Sequence, residues 1–61
     1  GAVICGGVHI KEHSFVGANS IIRENIIIGK NVIIGAGSVV VSNIPDNSIY
    51  FGNPAKLRNE Q

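Results

Sequence analysis

Few residues in this chain are equipped for chemistry. His9 and His13 carry its two imidazoles, and a neutral imidazole is the usual general base for taking a proton from a hydroxyl or an amine. Zinc chemistry would need three histidines and an open water position, and the H-x-x-x-H spacing of these two puts one on a strand and one in a turn. The sequence has two. Cys5 is the lone thiol, which excludes an internal disulfide and fits a reducing compartment. No Ser–His–Asp set and no paired carboxylates can be assembled from the rest. What remains is main-chain chemistry. FVGANSII (15–22) and IIGAGSVV (33–40) are near-copies that start eighteen residues apart. Each presents a Gly-Ala step, where a ligand could approach backbone N–H and C=O groups closely.

Some element must hold those two steps in line. Ile4, Ile10, Val16, Ile22, Ile28, Ile34 and Val40 recur at strict intervals of six, all β-branched and aliphatic. Four residues after each come Val8, Ser14, Ser20, Ile26, Val32, Ser38 and Ile44, small or β-branched and two residues before the next marker. Strand side chains alternate faces, so each such pair points inward together. The third residue after each marker is Gly7, His13, Asn19, Asn25, Asn31, Gly37 or Asn43. Gly takes positive φ freely, and Asn and His tolerate it best among the others, as a type II turn requires. Every six residues a short strand therefore ends in a corner. Three strands and three corners make an eighteen-residue lap, and successive laps stack as parallel sheets about 4.8 Å apart. Gly17-Ala18 then lies under Gly35-Ala36. A helix is excluded by the period, and an antiparallel sandwich by the fixed count between turns.

Composition agrees. Eighteen of the 61 residues are Ile or Val against a single leucine, Leu57, which favours strands. A chain this short buries only about 60% of its unfolded surface, so it is expected to lean on partner chains or on further sequence. Gly1 is not an initiator methionine, and the chain reads as a piece of something longer. The formal net charge of +1 offers no basic stripe for nucleic acid. No apolar run approaches the roughly 20 residues of a membrane span, and no signal peptide is visible. The hexads fill residues 1–44. The ruler is expected to stop at Pro45-Asp46-Asn47, leaving 45–61 as a turn, a last strand over 48–51 and a capping tail.

These hexads resemble the hexapeptide-repeat acyltransferases, over residues 1 to about 57. The section IGKNVIIGAGSVVVSNIPDNSIYFGNPAK is shared widely in that superfamily. The stretch ICGGVHIKEHSFVGANSII is similar to the sialic acid O-acetyltransferase group and to the amino-sugar N-acetyltransferases of bacterial surface-polysaccharide pathways. The resemblance implies an all-β fold, a single-stranded left-handed parallel β-helix, present here as about two and a half coils. It also implies a cytoplasmic homotrimer with acetyl-CoA bound between neighbouring β-helices and a sugar or nucleotide-sugar acceptor. Apolar outward residues give an independent reason to expect association: Phe15 should stack on Ile33, and Ile21 on Val39.

By the same resemblance, the backbone at Ala18 and Ala36 meets acetyl-CoA, with Gly35 beside them. Gly6 lies nearer the acetyl group, where an N–H could steady an oxyanion. Lys56 or Arg58 would reach the nucleotide phosphates as point charge or fork. The plain alternatives are small residues that merely fit a tight corner, and a solvated basic tail. The family's catalytic histidine falls upstream of Gly1, so the segment alone is expected to be inactive. His13 occupies a turn slot, and His9 an outward strand position in the column with Ile27 and Pro45. Cys5 points outward, and Glu12 and Glu24 are solvated turn residues. No metal is expected. Two other readings use the same helix: a γ-type carbonic anhydrase, short of its third histidine, and a non-catalytic β-helical scaffold.

Overall fold

The structure is a computed structural model that describes residues 1–60. Each hexad yields a two-residue strand at its marker: β1 (Val3–Ile4), β2 (His9–Ile10), β3 (Phe15–Val16), β4 (Ile21–Ile22), β5 (Ile27–Ile28), β6 (Ile33–Ile34) and β7 (Val39–Val40). Two longer strands follow, β8 (Ser48–Gly52) and β9 (Ala55–Glu60). The register is the one the period demands. Val3 pairs with Ile21 and Ile21 with Val39, His9 with Ile27, and Phe15 with Ile33, all parallel. Three sheets result, β1-β4-β7, β2-β5 and β3-β6-β8-β9, as the faces of a prism. Main-chain bonds join the laps directly, as from Val3 N–H to the Ser20 carbonyl at 2.8 Å and from Phe15 N–H to Val32 at 2.8 Å.

The inward column forms the core. Ile22, Ile28 and Ile34 are fully buried, with Val40, Val32, Ile26 and Ile44 around them. Burial of each aliphatic side chain contributes about 1.5–3 kcal/mol. Ile4 and Ile10 occupy the same column in the first lap and are 49% and 38% exposed. Inward serines complete the wall, each with a partner. Ser14 Oγ donates to the Gly29 carbonyl at 2.6 Å, and Ser20 and Ser38 both donate to the Gly35 carbonyl, at 3.0 and 2.7 Å.

Corners follow the sequence except in one place. Gly7, His13, Asn19, Asn25, Asn31 and Gly37 all take positive φ, between 54° and 75°. Asn43 does not, and the expectation for it is corrected. Ile28 bridges Ile44, and Ile34 pairs with Tyr50, a spacing of sixteen in place of eighteen. The corner at Val41–Asn43 has lost two residues.

The ruler consequently does not stop at Pro45; it resumes two residues early. Ile44 serves as a marker, Asn47 takes the turn slot at φ 59°, Ser48 is fully buried, and Tyr50 stacks in the Ile34 column. The column of His9 and Ile27 therefore continues to Asn43 rather than to Pro45. Asp46-Asn47 joins Lys30-Asn31 at the second corner, where Lys30 N–H donates to Asp46 Oδ1 at 2.8 Å. β8 completes the third lap. After the cis Asn53–Pro54 bond, β9 returns antiparallel along β8.

Candidate ligand groove

At the third corner two β-turns lie in line. Ser20 N–H closes the first on the Gly17 carbonyl, and Ser38 N–H closes the second on Gly35, both at 3.3 Å. Gly37 N–H donates to the Ala18 carbonyl at 2.9 Å, which fixes one turn above the other. Glycine is required at position 17, since a Cβ there would stand 2.5 Å from Ala36 N. Ala18 and Ala36 sit at the turn tips, exposed, with no long side chain between them.

The polar groups along this edge are unequally used. Gly35 is fully engaged: its N–H donates to Tyr50 at 2.9 Å, and its carbonyl takes Ser20 and Ser38. Phe51 also lays its ring against the Gly35 Cα, where a Cβ would collide with it. Gly35 thus shapes the edge and leaves no main-chain group for a ligand. Ala18 N–H, Ala36 N–H and the Ala36 carbonyl have no partner among the described residues. The Ala36 carbonyl is left open because the chain turns away at Gly52, with φ 105°, before a further corner can stack on it. The result is a two-step rail of alanines displaying donors and an acceptor along the coil axis.

Lys56 stands opposite Phe51 in the β8–β9 ladder and is exposed. Arg58 falls at the irregular step of that ladder between Ile49 and Tyr50, with its guanidinium 5.6 Å from the Phe51 ring centroid. Gly6 is not with them. It sits at the first corner, across the β1-β4-β7 face, with its carbonyl accepting from Asn25 N–H at 2.9 Å and open space where a Cβ would stand. Ala18, Gly35 and Ala36 thus share one corner, Lys56 stands across the ladder from the Phe51 that lies on Gly35, and Gly6 is held one face away.

The other chemical residues stand apart from the rail. His9 is exposed on β2, and His13 is an exposed corner residue with φ 62°. Cys5 is half-buried. Among the described residues, no three His, Cys, Asp or Glu side chains gather where they could hold a metal ion. Glu24 is exposed; a hydrogen bond from its own backbone, and then the Arg23 guanidinium 3.0 Å away, hold its carboxyl below the usual range. Phe51 and the open Ala36 carbonyl were not legible in the sequence. The signal for both was the shortened lap, which moves Phe51 into the Gly35 column.

Residues 7–42 match the sequence pattern of the bacterial transferase hexapeptide family, in six repeats. The chain belongs to this family. Among the hexapeptide transferases it is 43% identical over 53 residues to a dTDP-3-amino-3,6-dideoxy-α-D-galactopyranose 3-N-acetyltransferase of Aneurinibacillus thermoaerophilus, covering 87% of this chain and 28% of that protein. Its fold matches PerB of Caulobacter crescentus, solved with CoA and GDP-perosamine, with a TM-score of 0.91 at 34% identity over 95% of this chain and 28% of the other. The acetyltransferase domain of PglB from Neisseria gonorrhoeae, solved with acetyl-CoA, matches with a TM-score of 0.93 at 40% identity, again over 95% and 28%. The prism is accordingly the left-handed hexapeptide β-helix. The chain spans about 28% of the length of these relatives.

Proposed function

We propose that this segment is the acetyl-CoA-binding part of an acetyltransferase whose acceptor is a hydroxyl or amine on a sugar or nucleotide sugar. One observation carries the reading: the paired turn tips at Ala18 and Ala36 present unpartnered main-chain groups in line. An extended pantetheine arm bears two amides with matching donors and acceptors. Alanine at both tips lets that arm lie against the backbone. The relatives support the donor and the acceptor class: the PglB domain was solved with acetyl-CoA, and PerB with CoA and a nucleotide sugar.

Transfer in this reading is direct. A histidine upstream of this segment takes the proton from the acceptor, whose oxygen or nitrogen attacks the thioester carbonyl. The C–S bond breaks, and the CoA sulfur leaves and takes up a proton. Gly6 N–H is one candidate to steady the oxyanion, supported by its unpartnered state and open surroundings. Lys56 would meet the donor's phosphates as a point charge.

The assembly in this reading is a homotrimer, working in the cytoplasm beside its acetyl donor. Support for association comes from the apolar columns on the outside of the prism. Phe15, 63% exposed, stacks on Ile33, and Val3 and Ile21 stack below Val39. Columns of this kind on a soluble surface mark contacts.

The test is acetyl-CoA binding to the protein and to an Ala36→Trp variant, with melting temperatures for both. The reading expects binding that the bulky residue weakens at least about tenfold (about 1.4 kcal/mol) with little change in melting, since Ala36 is exposed. Unchanged affinity in the variant would remove the rail from the donor site.

A further inference from the structure

Phe51 has two neighbours that tie separate features together. Its ring lies against Gly35, at the end of the alanine rail, and carries the Arg58 guanidinium on it at 5.6 Å from the centroid. A cation that close to an aromatic face is attracted by the ring quadrupole. Arg58 would otherwise be a long, freely rotating side chain on a terminal strand. The ring is in turn fixed from below, since glycine at 35 gives it a place that any Cβ would fill. Phe51 reaches that place because the third lap is two residues short; in an unbroken count position 53 would stand there.

We propose that Phe51 is a positioning residue, whose ring closes the Ala18–Ala36 rail and holds the Arg58 guanidinium at that end, setting how far along the coil an anionic, extended donor lies. The inference rests on the donor reading above and adds to it a register stop and the means by which Arg58 is held ready. Lys56, opposite Phe51, adds charge without being stacked. Arg58 supplies a planar fork that matches phosphate geometry.

The test compares CoA with pantetheine, which lacks the nucleotide and its phosphates, as ligands of the full-length protein. Wild type, Phe51→Leu, Phe51→Tyr, Arg58→Ala and the Phe51→Leu/Arg58→Ala double variant are measured side by side. Phe51→Leu is expected to weaken CoA about two- to fivefold, the range of an exposed cation–π contact. Pantetheine binding stays unchanged, and Phe51→Tyr restores CoA binding. In the Arg58→Ala background, Phe51→Leu should cost nothing further. If wild type prefers CoA and Phe51→Leu keeps that preference, or if the two single effects add in full, the positioning role is overturned while the donor reading stands. Equal loss of CoA and pantetheine in Phe51→Leu would reduce the ring to packing. If wild type binds neither ligand, the donor reading itself fails and this inference with it.

Discussion

Asn43 Oδ1 accepts a hydrogen bond from Ile27 N–H at 2.8 Å, where the coil elsewhere offers a main-chain carbonyl. One lap earlier the equivalent donor, His9 N–H, bonds to the Ile26 carbonyl at 3.0 Å. The two residues missing from the third lap have taken that carbonyl away, and a side-chain amide stands in for it. Shortening the corner is what brings Ile44 over Ile28 and Phe51 over Gly35.

Replacing Asn43 therefore tests the stand-in. Asn43→Ala should lower stability by about 1 kcal/mol, the net value of one such bond. Asn43→Asp, which keeps an acceptor oxygen, should retain most of it. Denaturant unfolding of the three proteins checks this, and equal losses in both variants would show that the Oδ1 contact contributes nothing.

Two glycines should behave oppositely. At Gly17 a methyl group would meet the backbone of Ala36, which cannot swing aside as a side chain can. Gly17→Ala is expected to cost about 3 kcal/mol or more, in the range of overpacking against fixed atoms. Nothing lies within 4 Å of a Cβ at Gly6. Gly6→Ala should melt within a degree or two of wild type, so a fall in the proposed acetyl transfer with the fold intact would support the oxyanion role proposed for Gly6.

His13 is a corner residue by its φ of 62°. His13→Asn should change stability by no more than about 0.5 kcal/mol and leave the rate of the proposed acetyl transfer unaltered. His13→Val, with a branched Cβ in the left-handed region, should cost about 1–2 kcal/mol. A large rate loss in the folded His13→Asn variant would return His13 to the list of catalytic bases.

Glu24 gives a pH dependence of known sign. Its carboxyl is held below the ordinary range, first by a hydrogen bond from its own backbone and then by Arg23. The small stability it adds is present above the unfolded-state value and is lost as pH falls through the lower folded one. Both side chains are more than half exposed, so salt screens the Arg23 share. A carboxyl-carbon NMR titration should show Arg23→Ala moving Glu24 upward without reaching the ordinary value.

The sequence disclosed most of the architecture because the physics repeats. A β-branched residue every sixth position has one place to go, and Ile22, Ile28 and Ile34 are there. The turn slots were legible since few residues accept positive φ. Asn43 misled for the same reason. Asparagine suits that slot, and it also suits a side-chain stand-in for a carbonyl, so its identity did not distinguish the two. The missing pair of residues was hidden with it, and so were Asp46 on Lys30 N–H and Phe51 on Gly35. The alanine tips were visible as a repeat. Which of their polar groups stay open depends on where the chain leaves the coil, at Gly52, and a period cannot show that.

The most direct measurement is a crystal structure of the protein with CoA bound. The expected density follows the third corner along the coil axis, with pantetheine amides within about 3 Å of Ala18 N–H, Ala36 N–H and the Ala36 carbonyl. CoA bound on another edge of the prism, with those three groups facing water, would contradict the assignment of the rail.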